Sequence, residues 1–290
     1  MTTTVPSLTR TLVVRLAGPL QSWGDNSPYT TRGTLAYPTY SGLLGLARAA
    51  LGSPRDANPA DWQWLRDLTM AVRIDEPGRI VRDFHTVNPP PAGSWSSPVG
   101  QGRKGSKASG MPHIVPVGNG KAWSVGKTPS TLITERFYVA DAAFVWLVEG
   151  TEGCIRQLAE ALLRPTWQLS LGRKACTPEW PLMLDTSPAG ILEIAARLPV
   201  TTPPVDVRSR SRQPQDASAN ATPVREVDLH LLHGPAVGDK GASMVCADDP
   251  VGSHPHAGHT PRVRSIIRIA APAATRPALL AWSEANLERP

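Results

Sequence analysis

The amino-acid sequence predicts an α+β fold of the ferredoxin-like, split βαβ kind. Amphipathic helix patterns occupy residues 41–51 and 151–164, and an apolar strand pattern precedes each of them. The segments that follow each helix also have strand composition. The resulting order of strand, helix, strand, strand, helix and strand is that of the split βαβ motif. With 290 residues, of which 41% are hydrophobic, the chain is long enough to bury a core of this kind.

The first strand is predicted at Thr11–Ala17, where an apolar run ends at Gly18-Pro19. This reading places Gln21, Ser22 and Trp23 on a glycine-flanked loop at the end of the strand. The first helix is predicted at Ser41–Leu51, because its leucines and alanines recur with a period of 3.6 residues. Ser41 is a candidate cap for its N-terminus, and Gly52 lies where a C-terminal glycine cap belongs.

The middle of the chain contains two further strands and a long insertion. A short helix is predicted at 61–68 and strands at 70–74 and 79–87, with Glu76-Pro77-Gly78 as the turn between the two strands. Residues 88–130 are rich in Gly, Pro, Ser and Lys and show no periodicity. Long insertions without secondary structure in a compact domain are usually functional or disordered.

The second half of the split βαβ pattern begins with a strand at 137–148, which is apolar enough to be buried on both faces. The helix at 151–164 ends at Pro165, and a glycine loop follows at 171–176. We therefore assign residues 1–198 to the ferredoxin-like domain. Residues 199–224 are interpreted as a linker or mobile loop, and residues 225–290 as a small C-terminal β extension with a peripheral tail after Pro272.

Positive charge is concentrated in one part of the chain. The net charge is +6, and residues 79–136 alone contain eight basic and only two acidic residues. Such a cluster is typical of proteins that bind phosphate backbones and release counterions. A solubilising loop explains the same composition, so charge by itself leaves both interpretations open.

Other functional classes find little support. Gly100–Gly105 matches GxGxxG, but neither an entering strand nor a following helix accompanies it, so no nucleotide cofactor is predicted. His254, His256 and His259 lie among Pro and Gly without a rigid metal geometry, and the three cysteines lack paired spacing. No apolar stretch approaches the roughly 20 residues of a membrane span. The expectation is a soluble, cytoplasmic protein without cofactor, metal or membrane contact.

Two places in the sequence carry residues that are suited to contacts with RNA. His85, in a strand beside basic residues, can position RNA or act as the base of a metal-free cleavage. Arg173 and Lys174 follow Gly172 in a loop, an arrangement that offers backbone N–H groups and two cations to a phosphate. A structural histidine and a plain surface turn are the alternatives.

Five segments together resemble the CasD family of type I-E CRISPR Cascade subunits, within the RAMP superfamily. They are VRLAGPLQSWG (14–24), TRGTLAYPTYSGLLGLARAALG (31–52), RDFHTV (82–87), AFVWLV (143–148) and LGRKACTPEWPL (171–182). The resemblance implies an RRM-like RAMP domain whose thumb insertion occupies about residues 88–130. It also implies a subunit that caps the 5′ handle of the guide RNA (crRNA), touches the backbone and large subunits, and meets target DNA only through the complex.

The resemblance and the basic residues together give a set of candidate RNA contacts. The set consists of Gln21, Trp23, Arg32, Tyr40, Ser41, Arg48, Arg82, His85, Lys104, Lys107, Arg136, Gly172, Arg173 and Lys174. Trp23 and Tyr40 are expected to stack on bases, although Trp23 can equally pack the loop onto the core. Arg32 and Arg48 are expected to hold a phosphate at the start of the first helix.

The rival hypothesis is enzymatic. Some relatives in another subtype cleave repeat RNA without metal, and here His85 with Tyr40 or Tyr138 and a nearby lysine would supply the residue types. The favoured prediction remains a non-catalytic subunit. A protein-binding scaffold without RNA affinity is the third possibility.

Overall fold

The fold was analysed in a computed structural model, which describes residues 8–24, 30–87, 132–201, 223–234, 242–250 and 259–289. The predicted thumb insertion and the GxGxxG segment therefore lie outside the described residues. The chain divides into two compact units. The first consists of residues 1–24, 34–81 and 138–290, and the second of residues 25–33 and 82–137.

The protein is a mixed α/β structure. Its strands are β1 (Thr9–Gln21), β2 (Thr31–Arg32), β3 (Thr69–Glu76), β4 (Arg79–Val87), β5 (Leu132–Thr151), β6 (Met183–Ser187), β7 (Val200–Thr201), β8 (Val224–His233), β9 (Ala242–Pro250) and β10 (His259–Ala274). Its helices are α1 (Tyr40–Leu51), a 3₁₀ turn (Pro59–Trp62), α2 (Gln63–Arg66), α3 (Glu152–Leu163), α4 (Ile191–Arg197) and α5 (Arg276–Asn286). None of these helices is long and apolar enough to cross a membrane.

The sheet of the first unit follows the order β6-β1-β5-β3-β8-β10-β7. Strands β6, β1, β5, β3, β8 and β10 are antiparallel to their neighbours, and β7 joins β10 in parallel. Strand β1 does not stop at Gly18-Pro19 as the sequence suggested. It continues to Gln21, because Leu20 and Gln21 still pair with Ala140 and Val139 of β5.

The central strands are buried on both faces, as predicted for 137–148. Side chains of β1, β3 and β5 alternate between two hydrophobic clusters. Leu12 and Val14 lie in a cluster with α1 and α3, whereas Val13 lies in a cluster with α4 and α5. Helices therefore cover both faces of this sheet. Because both faces are buried, the central strands have continuous runs of apolar residues.

The C-terminal third belongs to the same compact unit. Strand β8 pairs with β3, and Leu279 of α5 is fully buried in the second cluster. The prediction of a peripheral tail after Pro272 is therefore wrong, because Leu279 and Leu287 fill space against the sheet. The bounds predicted for the linker, 199–224, include residues that form strands, since Val200 and Thr201 form β7 and Val224 belongs to β8. Residues 202–222 lie outside the described residues.

Arg264 ties strand β10 to the segment before α1. Its Nη2 donates to the Pro38 carbonyl oxygen at 3.0 Å, and its Nη1 lies 3.1 Å from His230 Nδ1. The Tyr37 ring packs edge-on to the His230 ring. Burial, with a contribution from the charge of Arg264, lowers the pKa of His230 to about 4.

This pKa predicts a loss of stability at mildly acidic pH. The unfolded chain protonates His230 near pH 6.5 and the folded chain near pH 4, so the contribution is present above pH 6.5 and lost as the pH falls toward 4. We expect about 2 kcal/mol less free energy of unfolding at pH 5 than at pH 7 from this residue. Urea unfolding at pH 5 and at pH 7 measures this difference in the free energy of unfolding. His230→Gln keeps an acceptor for Arg264, and an identical loss in this variant would contradict the assignment.

Candidate nucleic-acid interface

A groove of about 640 Å³ lies between helix α1 and the segment that leads into the glycine loop. We call it the α1 groove. It is lined by Gly42, Gly45, Leu46, Arg48, Ala49, Ser53, Arg55, Trp167, Gln168, Ser170, Gly172 and Lys174. Its volume lies within the range of roughly 300–1,000 Å³ that is usual for ligand sites.

Helix α1 forms one wall of the α1 groove. Thr39 caps the helix, because its Oγ1 accepts from the Gly42 N–H at 3.2 Å. Gly52 ends it in the left-handed conformation with φ +71°, as the sequence predicted. Gly45 has no neighbouring atom within 4 Å of the place where a Cβ would stand. The small residues on this helix face thus leave the groove open.

The glycine loop forms the other wall. The Leu171 N–H donates to the Cys176 carbonyl oxygen, and the Cys176 N–H donates to the Arg173 carbonyl oxygen, each at 2.8 Å. The loop is held against the end of β1, since the Ser22 N–H donates to the Leu171 carbonyl oxygen at 2.9 Å. Gly172 adopts φ +96° at this contact. A side chain there would overlap the Ser22 carbonyl oxygen.

The charge of the α1 groove is positive. Arg48, Arg55 and Lys174 line it, and no carboxylate is among its lining residues. Arg48 is held in place, because its Nε donates to Ser53 Oγ at 3.2 Å and its guanidinium lies 4.6 Å from the Trp62 ring. Burial lowers the pKa of Arg48 from its ordinary value, but a guanidinium stays charged in proteins. Lys174 makes no hydrogen bond or ion pair with any residue that the structure describes.

Three lining residues were missed from the sequence. Arg55, Trp167 and Gln168 lie in connecting segments outside the helices and strands, where no motif singles them out. Trp167 is 45% exposed, which is unusual for so large an apolar side chain. Its position in the sequence could have indicated a functional role. Trp167 lies between Pro165, which ends the helix, and the glycine loop, in a connecting segment where a large aromatic residue is not needed for helix packing.

The expectation that Gln21 and Trp23 face RNA is wrong, because the structure buries both. Trp23 is 1% exposed, and its Nε1 donates to Gln21 Oε1 at 3.1 Å. Gln21 in turn donates to the carbonyl oxygens of Leu16 and Ala142. The two polar side chains satisfy each other and the backbone inside the core, so the alternative interpretation of Trp23 is the one that the structure supports.

Tyr40, Ser41 and Arg48 also differ from expectation. Tyr40 is 1% exposed, with the Arg262 guanidinium 4.2 Å above its ring, so the expected base stacking is excluded in this structure. Ser41 lies inside α1, because Thr39 takes the capping position. Arg48 lies in the last turn of α1, about 12 Å along the axis from its start, and serves the α1 groove rather than the helix N-terminus.

The second compact unit spans six of the candidate residues, of which the structure describes four. Strand β2 pairs in parallel with β5, and Arg32 is the register partner of Arg136. Arg82 Nη1 lies 3.2 Å from Glu135 Oε1 in an exposed ion pair. His85 is half-buried in β4, and its Nδ1 is buried without a hydrogen-bond partner among the described residues. Lys104 and Lys107 lie outside the described residues.

Arg173 and Tyr138 form a contact of their own. The Arg173 guanidinium lies 4.9 Å from the Tyr138 ring, and Arg173 is not among the residues that line the α1 groove. The structure therefore brings Arg48, Gly172 and Lys174 of the predicted set together in one groove. No group of three or more His, Cys, Asp or Glu side chains suited to a metal occurs in the described part of the chain.

Comparison with solved structures finds two chains of similar fold. A solved chain titled "CRISPR RNA-guided surveillance complex" superposes with a TM-score of 0.63 and 26% identity over 94% of this chain and 98% of the other. A second, titled "Crystal structure of Cas protein", shares the fold with a TM-score of 0.51 and 23% identity over 90% and 95% of the two chains.

Sequence comparison then gives the family. The profile of the family described as CRISPR-associated protein (Cas_Cas5) matches residues 11–231. The "CRISPR system Cascade subunit CasD" of Escherichia coli strain K12 is 32% identical over 189 residues, which are 61% of this chain and 71% of the relative. The chain belongs to the Cas5 family of CRISPR-associated proteins, so the family resemblance predicted from its sequence is confirmed.

Proposed function

We propose that this protein is the subunit of a type I-E CRISPR surveillance complex that binds and caps the 5′ handle of crRNA. Its similarity to the Cascade subunit CasD supports membership of such a complex. The observation that carries the RNA-binding role is the α1 groove. Three cations line it without a carboxylate, and the backbone of Gly172 is open to it.

The physical argument rests on the uncompensated charge of the groove. Cations that face one another without acidic neighbours repel, and this cost is recovered when an anionic ligand enters. Phosphate groups are the anions that RNA supplies, and Arg and Lys are the residues that bind them. Arg48 is already fixed by Ser53 and Trp62, so little conformational entropy is lost when it contacts a phosphate.

Further contacts are proposed for the second compact unit and for the insertion. Arg32 and Arg136 are register partners in β2 and β5, so positive charge is concentrated at this pair, as in proteins that bind phosphate backbones. We assign phosphate contacts to these arginines, to Arg82 and Arg173, and to Lys104 and Lys107, with His85 positioning the RNA. The backbone and large subunits of the complex are its proposed protein neighbours.

The domain is proposed to be a ferredoxin-like RAMP domain. In support, strands β6, β1, β5 and β3 are adjacent and antiparallel, and α1 and α3 follow β1 and β5 in the chain. A split βαβ unit has this arrangement. The insertion between β4 and β5 is where a thumb would lie.

The subunit is proposed to be non-catalytic. In support, Tyr40 and Tyr138 are only 1% and 7% exposed and each ring lies against an arginine, which is unfavourable for close approach of RNA. The proposed location of the protein is the cytoplasm. No cofactor is needed for a binding role.

The test is to express the full chain with the other subunits encoded in its operon and to sequence the RNA that co-purifies. We expect short guide RNAs that share a repeat-derived 5′ end. Arg55→Ala with Lys174→Ala should weaken binding of that RNA by the purified chain and should lower the slope of log affinity against log salt by roughly one to two, since each lost phosphate contact lowers it by about 0.7–1.

Arg197→Ala, compared with Lys174→Ala alone, is the matched control, because each change removes one positive charge. Arg197 is exposed on α4, the helix that covers the opposite sheet face from α1, and pairs with Glu193 at i,i+4, so this change removes one positive charge far from the groove. Loss of affinity equal to that of Lys174→Ala would contradict the assignment. Incubation of the same preparation with labelled repeat RNA and EDTA tests the enzymatic rival, because a defined product lost in His85→Ala would establish catalysis.

A further inference from the structure

Trp167 is the feature of the α1 groove that phosphate binding leaves unexplained. Its side chain is 45% exposed, although its backbone is fixed to helix α1 by an N–H that donates to the Ala49 carbonyl oxygen at 3.3 Å. The neighbouring Thr166 N–H donates to the Ala50 carbonyl oxygen at 2.9 Å. A large aromatic side chain is thus presented at a groove from a rigid backbone.

The surroundings of Trp167 suit a nucleobase better than another apolar group. The groove walls near it are the glycine and alanine face of α1, which leaves room for a flat ring, and the side chains of Gln168 and Ser170. The Gln168 side chain makes no hydrogen bond to a described residue, so its amide donor and acceptor are available to a base edge. The cations Arg55 and Lys174 supply the charge that a nucleotide's phosphates require.

From this arrangement we infer that the α1 groove holds one unstacked, single-stranded nucleotide, with its base on Trp167 and its phosphates on Arg55 and Lys174. The inference rests on the proposed RNA-binding function and adds the class of ligand that this groove takes. Single-stranded RNA is recognised in this way, because unpaired bases can turn out of the stack onto aromatic side chains. A duplex keeps its bases stacked inside the helix and cannot use Trp167.

Binding of fluorescently labelled single-stranded 12-mers of uridine and of adenosine to the purified full chain tests the inference. Trp167→Ala should weaken both by about 5- to 150-fold, the range that base stacking supplies, and should leave the salt slope unchanged. Trp167→Phe should restore binding to within about threefold, because any aromatic face can stack. Lys174→Ala should instead lower the salt slope by about one.

Trp180→Ala is the matched control, because Trp180 is also exposed, at 56%, and does not line the groove. Tryptophan emission gives a second readout that a purely structural role would not change. RNA should quench the emission of the wild-type chain and of Trp180→Phe, and this quenching should be largely lost in Trp167→Phe even though that variant still binds.

The outcomes separate the two levels of the proposal. Salt-dependent RNA binding that is insensitive to Trp167→Ala, or a 12-mer duplex that binds as tightly as the single strand, would overturn the nucleotide pocket and leave the RNA-binding function in place. A wild-type chain without salt-dependent affinity for any of these RNAs would overturn the proposed function, and the pocket with it.

Discussion

Replacing Arg73 by methionine is expected to lower the free energy of unfolding by about 3–5 kcal/mol, the cost of breaking a buried ion pair. Arg73 is fully buried in β3, and its guanidinium grips Asp75 with two hydrogen bonds, Nε to Oδ1 at 2.7 Å and Nη2 to Oδ2 at 3.0 Å. Asp75 is itself 2% exposed. The substitution would leave its carboxylate without a partner in the interior.

The same guanidinium also holds the end of helix α4. Its Nη1 donates to the carbonyl oxygens of Ala195 and Leu198, at 2.7 and 2.5 Å, and its Nη2 donates to that of Pro199 at 3.1 Å. These carbonyls lie where the helix ends, and such groups lack partners within the helix. Hydrogen exchange in α4 and β7 should therefore accelerate in Arg73→Met more than in the distant helix α3.

Urea unfolding measures the loss, and two further variants define its cause. Arg73→Met combined with Asp75→Asn removes the stranded charge and should recover part of the stability, but not the part owed to the three carbonyls. Arg197→Ala, at an exposed ion pair, should change stability by less than about 1 kcal/mol. A loss below 1 kcal/mol in Arg73→Met would show that the buried network is not a stabilising element.

Gly172→Ala is expected to destabilise the protein by more than about 2 kcal/mol, because it combines backbone strain with overlap. Gly172 has φ +96°, a conformation that side chains rarely adopt, and a Cβ there would overlap the Ser22 carbonyl oxygen. Relief of the overlap requires the loop to move away from β1. The hydrogen bond from the Ser22 N–H to the Leu171 carbonyl oxygen would then be lost.

The substitution should also impair RNA binding, because Gly172 is part of the α1 groove and precedes Lys174 by two residues. Thermal unfolding and RNA titration of the same preparation separate the two effects. Gly153→Ala is the control: no atom lies within 4 Å of its Cβ position in the first turn of helix α3, so alanine should not destabilise the protein. Wild-type stability in Gly172→Ala would contradict the close approach.

The main helices and strands could be predicted from local patterns. Strand β4 has the predicted bounds, and α1 and α3 differ from theirs by one residue at each end at most, because apolar periodicity and the terminal Gly52 and Pro165 are written in the sequence itself. The sequence predicts Ser41 as the cap of α1, whereas Thr39 caps the helix. Both residue types cap helices, and only the backbone geometry decides between neighbours.

The candidate site was harder to predict, because its residues are separate in sequence. Arg48 and Lys174 share a groove only because α1 packs beside the segment that leads to the glycine loop. Trp167 becomes a candidate binding residue only because it lines the same groove. For Trp23 the error is the reverse, because the sequence predicts an exposed contact residue and the structure buries it. Its glycine-flanked position suggested a surface loop, but Gly42 leaves space for the indole beneath α1, and Gln21 supplies the acceptor for its N–H.

From the sequence one can predict the main helices and strands up to residue 164, the basic character of the chain and its family, because apolar period, charge and motifs are properties of the chain itself. The tertiary structure alone decided which polar and aromatic side chains meet solvent. That decision depends on long-range contacts, such as the Gly172 backbone against Ser22 and Gly42 against Trp23. Burial of these side chains depends on contacts between residues that are distant in sequence, so it cannot be predicted from a local sequence pattern.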